Sequence, residues 1–204
     1  MASTVGQRVD AVNPGTILLL NGASSSGKTS IVRALQMELP DAYLDAGLDR
    51  FLWMLPGRYL QLPLWDDVLG LATTAGETGH RLVLGMHRAI AALSRAGNCV
   101  VADHVLVEPA WVNDCAAVLA DLPAWLIGVR CPLPVLVERE RSRGDRTLGQ
   151  AAAQHDRVHA HGVYDLEVDT SLLNPEECAL VIQQAISGRA PTALRRLRDR
   201  QPGS

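Results

Sequence analysis

Lysine is almost missing from this chain: Lys28 stands alone against eighteen arginines. That scarcity excludes an Asn-Lys-x-Asp guanine-reading segment, which needs a lysine of its own, and so argues against a GTPase. Aromatic residues make up only 4% of the sequence. No apolar run approaches the roughly 20 residues that a membrane-spanning helix needs. The four cysteines, Cys99, Cys115, Cys131 and Cys178, include no C-x-x-C pair, which argues against zinc ligands or disulfide staples and for reduced core residues. Charge of neither sign dominates; a net charge of −3 gives no general attraction to nucleic acid or to an anionic membrane. Residues 1–15 lack the basic start and apolar stretch of a secretion signal, so a flexible N-terminal segment and a cytoplasmic protein are expected.

Against that background the position of the one lysine is informative. It falls in Gly22-Ala23-Ser24-Ser25-Ser26-Gly27-Lys28-Thr29, a complete G-x-x-x-x-G-K-[ST] phosphate-binding loop. A chain that otherwise uses arginine has kept a compact, flexible ammonium where a cation must reach between phosphates. The flanks agree. Thr16 to Leu20 is an unbroken apolar run, as expected of a strand covered on both faces of a parallel sheet. Ile31, Val32, Leu35 and Leu39 then recur at helical spacing until Pro40 stops the helix. Strand, loop and helix N-terminus together aim backbone N–H groups at phosphate oxygens. Residues 22–30, through Ser30, are therefore read as a nucleoside triphosphate site.

Further along, apolar runs alternate with helical patterns, which predicts stacked βαβ units in a three-layer α/β/α domain over residues 16–188. The remaining strands are expected at 42–48, 99–103, 124–130 and 163–168. The intervening helices are expected at 77–96, 109–120 and 134–143, and a last one after Asn174-Pro175-Glu176-Glu177 reaches Gly188. Residues 189–204 form an arginine-rich tail, read as solvated or docked on a partner.

Ligands of open α/β sheets bind at the carboxyl ends of the strands, so polar residues there are candidates for chemistry. Asp103 closes an apolar strand and, with the Thr29 hydroxyl, is the candidate Mg²⁺ site; capping of a turn is its ordinary alternative. Asp49 follows the second strand and is the candidate base for an attacking hydroxyl, with capping of a helix over 50–55 as its alternative. Asp45 ranks below it. Arginines gather around a glycine in Glu138 to Arg146. Arg143 and Arg146 are the preferred pair for a lid that neutralises charge on a transferring phosphoryl group; a solvated charged helix is the alternative. Five of the eight aromatic residues lie between Tyr43 and Trp65. Phe51, Trp53 and Trp65 are assigned to an acceptor pocket, with core packing as the competing role. His104, next to Asp103, is a further candidate substrate contact. His159 and His161 lack the companions a metal site needs.

Four segments together, Ile17 to Thr29, Gly47-Leu48-Asp49, Ser142 to Arg146 and Gly162 to Thr170, resemble the chloramphenicol phosphotransferase family. The resemblance runs in order from about Thr16 to Gln184. It implies a nucleotide-kinase-like P-loop fold with a five-stranded parallel sheet in the order 2-3-1-4-5, and ATP-dependent transfer of the γ-phosphate to a hydroxyl of a small molecule. It also matches Asp49 to the carboxylate that activates the acceptor and the arginines around Gly144 to the lid. Where family members often carry paired aspartates on the magnesium strand, His104 follows Asp103 here, and residues 52–80 match only loosely. Chloramphenicol, another hydroxylated antibiotic and a metabolite all remain candidate acceptors. Two rival readings stand beside this one: a nucleoside or central-metabolite kinase, and a nucleotide-sensing interaction module that uses the tail without transferring phosphate. Expected partners are ATP, Mg²⁺ and the acceptor, with a homo-oligomer left open.

Overall fold

The computed structural model describes residues 12–59, 76–143 and 148–200. Five strands, β1 (Ile17–Asn21), β2 (Tyr43–Asp45), β3 (Cys99–His104), β4 (Ala124–Arg130) and β5 (Leu166–Asp169), form one parallel sheet in the order β2-β3-β1-β4-β5. Alternation along β1 shows why its sequence is apolar without a break. Ile17 and Leu19 enter one core, while Leu18 and Leu20 enter the other. β3 and β4 divide in the same way, with Val100, Ala102, Ala124 and Leu126 on the first face and Val101, Trp125 and Ile127 on the second. A strand buried on both faces cannot carry the polar alternate residues of a half-exposed one.

Helices cover both faces and complete three layers. On one side lie α1 (Lys28–Glu38), through Ile31, Val32 and Leu35, and α7 (Pro175–Gly188), through Cys178, Ala179 and Ile182. The other side is covered by α3 (Gly76–Arg95) and α4 (Pro109–Leu119), with Met86, Ile90 and Trp111 fully buried. α7 starts as its sequence predicts. Asn174 accepts from the Glu177 N–H at 2.8 Å, Glu177 accepts in return from the Asn174 N–H at 2.8 Å, and Pro175 opens the first turn.

Several boundaries differ from expectation for local reasons. β2 ends at Asp45 rather than at residue 48, because the Asp45 carboxylate accepts from the Gly47 N–H and turns the chain into the short helix α2 (Leu48–Leu52). β5 begins at Leu166 instead of Val163. Tyr164 is turned inward to Asn21, and the Asp165 carboxylate accepts from the backbone of Leu126, Thr192 and Ala193. Gly15, placed in the flexible N-terminal segment, is buried against Asn98 and exchanges hydrogen bonds with Ser94.

The tail also departs from a solvated reading. Residues Ala193–Arg198 form a helix, numbered α8 below, whose Ala193, Leu194 and Leu197 are buried against α4 and β4. Three apolar residues among the arginines suffice, because their spacing puts them on one face while Arg198 pairs outward with Asp121. Among the described residues no helix is long and apolar enough to cross a membrane.

Candidate nucleotide and phosphoryl-transfer site

β1 is the central strand, flanked by β3 and β4, so the crossovers leave the sheet in opposite directions and open a crevice at its carboxyl edge. Register places Leu20 beside Asp103 and Asn21 beside His104, which sets the end of β3 next to the loop that leaves β1. The loop has little freedom. Ser25 takes φ 61°, the single left-handed non-glycine residue among those described, and Gly27 takes φ 88° as it caps α1. A side chain on Gly22 would run into the Val129 carbonyl and the Ser26 hydroxyl.

The N-terminus of α1 has neither a side-chain cap nor an acidic residue in its first turn, so its N–H groups face the crevice uncompensated. The Ser25 and Ser26 hydroxyls are buried without a hydrogen-bond partner. Lys28 folds back to donate to the carbonyls of Gly22 and Ala23, both at 2.8 Å. This cradle of donors fits a polyphosphate.

On the far side of the loop the Thr29 hydroxyl donates to Asp103 Oδ2 at 3.0 Å. Burial pushes the Asp103 carboxyl up from its ordinary range, and the nearby carboxylates of Asp49 and Asp45 push the same way, while Lys28 and the Thr29 hydrogen bond oppose them. A carboxylate so placed gains from a divalent cation, and hydroxyl plus carboxylate is the donor pair of a nucleotide-bound Mg²⁺. No cluster of three or more metal-ligating side chains exists among the described residues, so Thr29 and Asp103 could hold a cation only with phosphate and water as the other ligands.

Asp49 is the second residue of α2, after Gly47, and lines the same crevice. Gly47 supplies no side-chain cap, and Asp49 lies inside the helix, which removes the capping role from Asp49. Asp45, its competitor, is engaged by Arg50 at 2.7 Å and by the Gly47 N–H. The cleft has a volume of about 900 Å³ and is walled by the loop, by Leu48, Asp49, Leu52 and Asp103, by the lid-side helix α5 (Leu133–Arg143), and by residues 170–175.

The lid reading changes in detail. Arg143 lines the cleft, and Arg146 lies outside the described residues. Arg139, one turn earlier, is the arginine fastened to the loop: it donates to Thr170 Oγ1 at 2.9 Å and to the Thr170 carbonyl at 2.7 Å, while the Thr170 hydroxyl donates to the Ser26 carbonyl at 3.0 Å. Arg139 and Arg143 stand at i and i+4 on one helix, and the position of Thr170 just after β5 distinguishes them.

The acceptor assignments separate. Phe51 packs against the hydrophobic core, Trp53 is 62% exposed and is absent from the cleft wall, and Trp65 lies outside the described residues. His104 does not line the cleft. It is fully buried behind the site, where its Nδ1 accepts from the Val105 N–H at 2.7 Å, so its Nε2–H faces His87 Nε2 at 2.9 Å. His87 Nδ1 in turn meets Asp114 at 2.7 Å. Burial, then the neighbouring His87 and Lys28, hold His104 well below the ordinary histidine range, and burial holds His87 low against the pull of Asp114. Alternation along β3 explains the correction: Asp103 and His104 point to opposite faces.

Sequence reasoning missed Gln150 and Gln154. Both line the cleft from α6 (Gln150–His155), a short helix whose Ala151-Ala152-Ala153 run was its one local signal. It also missed Asn21, fully buried, which donates to the Val158 carbonyl and Tyr164 hydroxyl and accepts from the Leu106 N–H, tying three loops to the end of β1.

Comparison with known proteins agrees with this geometry. The family described as "Chloramphenicol phosphotransferase-like protein" matches residues 15–187. A Mycobacterium tuberculosis protein named "Putative O-phosphotransferase Rv2636" is 33% identical over 200 residues, covering 91% of this chain and 89% of that protein. Among solved structures, the Mycobacterium tuberculosis APS kinase CysC superposes with a TM-score of 0.63 at 16% identity, over 86% of this chain and 99% of that one. Shikimate kinase from Acinetobacter baumannii superposes with a TM-score of 0.58 at 16% identity, over 86% and 94%. The two kinases share the fold, whereas the family match carries the chemistry across nearly the whole domain: this chain belongs to the chloramphenicol phosphotransferase-like family, the small-molecule phosphotransferases built on the P-loop kinase fold.

Proposed function

We propose that this protein transfers the γ-phosphate of ATP to a hydroxyl group of a small, largely neutral acceptor. The observation that carries the reading is the meeting, in one cleft, of a complete phosphate loop with Asp49 and with the Thr29–Asp103 pair. The loop with Thr29, Asp49 and Asp103 follow or end three different strands, β1, β2 and β3. Backbone N–H groups of residues 22–29 and the Lys28 ammonium would bind the β- and γ-phosphates, with Lys28 leaving its carbonyl partners as phosphate arrives. Mg²⁺, when bound, supplies charge neutralisation on the phosphate oxygens. Thr29 and Asp103 would hold it.

Asp49 accepts the proton of the acceptor hydroxyl as that oxygen attacks the γ-phosphorus, the bond to the β–γ bridging oxygen breaks, and ADP departs. Arg143, with Arg146 on the adjoining segment, neutralises charge on the transferring group. Leu48, Leu52 and Val105 form the apolar wall beside Asp49, which suits an acceptor with an apolar body. Chloramphenicol and other hydroxylated antibiotics fit that description, and self-protection or resistance is the role we infer. Four free cysteines support a cytoplasmic, reducing location.

The test is ADP release with Mg²⁺-ATP across chloramphenicol, other hydroxylated antibiotics, nucleosides and sugar acids, with mass spectrometry for a product carrying one added phosphate. Asp49→Asn should lose transfer by about 100-fold or more while ATP affinity stays within a few-fold. Full transfer by that variant would remove Asp49 from the mechanism.

A further inference from the structure

Gln150 and Gln154 stand at i and i+4 on α6, so they share one face, and they are 4% and 0% exposed. That face lines the cleft that holds the phosphate loop, Asp49 and Asp103. Of their four amide atoms, Gln150 Nε2, Gln150 Oε1 and Gln154 Nε2 are buried with no hydrogen-bond partner. The fourth, Gln154 Oε1, accepts from the Ser24 N–H at 2.7 Å.

A backbone N–H can only donate, so this bond fixes how the Gln154 amide is turned. Its oxygen faces the loop, and its NH₂ group is left without a partner at the cleft wall. The arrangement is also well held. Glu140, 2% exposed on α5, accepts from the Gly149 N–H at 2.8 Å and the Ala151 N–H at 2.9 Å, pinning the start of α6. Folded proteins seldom keep a buried amide donor unpaired, and an apolar residue at 154 would fill the space without that cost. A held, oriented and unsatisfied donor points to a ligand.

The identity of that ligand follows from the neighbours. Ser24 belongs to the phosphate loop, and Asp49 and Asp103 mark the transfer end of the cleft. An NH₂ group on the wall of the same cleft, held to the phosphate loop through Ser24, suits an oxygen of the terminal phosphoryl group. We propose that Gln154 reads the γ-phosphate: anchored to Ser24 through Oε1, it donates from Nε2 to a γ-phosphate oxygen and so distinguishes nucleoside triphosphate from diphosphate. Gln150 extends the same polar face. The assignment rests on the cleft being an ATP site, and the experiment separates the two.

Gln154→Glu keeps the oxygen that accepts from Ser24 and replaces the donor with a second oxygen. Gln154→Met removes both. Calorimetric titration of the full-length protein and both variants with Mg²⁺-AMPPNP and with Mg²⁺-ADP reads the difference, with thermal melting as the folding control. AMPPNP affinity is expected to fall roughly tenfold or more in Gln154→Glu, the loss of a hydrogen bond to a charged group, while ADP affinity changes far less. Gln154→Met should show the same asymmetry, and serves alone if the glutamate variant fails to fold. Equal losses for both nucleotides, or no loss, would make Gln154 a support for the loop and overturn the proposal while leaving the ATP site intact. Failure of the unmodified protein to bind either nucleotide would overturn the ATP-site reading and the proposal together.

Discussion

Gly47 packs against Asp103, the carboxylate proposed to hold the metal, and Gly47→Ala tests that geometry with a single methyl group. The residue has φ −65° and ψ 161°, extended backbone that alanine adopts without strain. An added Cβ would nevertheless collide with Asp103 Oδ1 and lie 3.1 Å from Asp103 Cγ and 3.3 Å from Asp45 Oδ1. The obstacle is the end of a side chain, so the fold can yield by turning the carboxylate aside. Overpacking of about 1 kcal/mol is then largely offset by the reduced freedom of alanine in the unfolded chain, about 0.4–1 kcal/mol. Function has no such escape. Asp103 Oδ2 accepts from Thr29 at 3.0 Å, and an oxygen displaced by roughly 1 Å could no longer serve the proposed metal site, a misplacement worth about 100-fold in rate. The expected result is a melting temperature within a few degrees of the unmodified protein together with loss of the Mg²⁺ dependence of ATP affinity, read by calorimetry with and without the metal. Unaltered Mg²⁺ dependence at equal stability would show that Asp103 does not orient the metal.

Acid should destabilise the protein through its histidines. His87 is held low by burial and His104 well below its ordinary range, while His159 is pushed down to about 3 and His161 to about 4, so each takes up its proton at lower pH in the fold than in the unfolded chain. The unfolded state binds more protons there, so stability rises with pH; what is present above about pH 6.5 is lost on acidification, by up to about 1.4 kcal/mol per pH unit for each histidine. Denaturant midpoints unchanged between pH 7 and pH 5 would contradict this. Leu194→Ala removes a side chain 2% exposed between α8, α4 and β4 and should cost about 2–5 kcal/mol in chemical unfolding; a cost below 0.5 kcal/mol, roughly the scale of a surface change, would mean that the helix contributes nothing to the domain.

Much of the site was legible because its chemistry is local in the chain. A phosphate loop needs a strand, a glycine-rich turn and a helix start in immediate succession, and residues 16–39 carry all three. Asp103 could be placed because it ends an apolar run, and such runs end at the binding edge of a parallel sheet. Arg143 and Arg146 were preferred because they flank Gly144, and Arg139 was passed over because its partner, Thr170, is 31 residues away in the chain. His104 was misassigned because adjacency in sequence to Asp103 means the opposite face in a strand.

What the sequence by itself determined, then, is the order of elements, the two-faced burial of the central strands and the location of the phosphate loop: periodicity and local backbone geometry operate within a few residues. Only the tertiary structure decided which polar side chains meet. Gln154 finds Ser24 across 130 residues, Glu140 pins α6 from α5, and the leucines of α8 turn an arginine-rich tail into a packed helix. Such contacts depend on how layers stack and on which donors burial leaves unpaired, and neither quantity exists until the chain is folded.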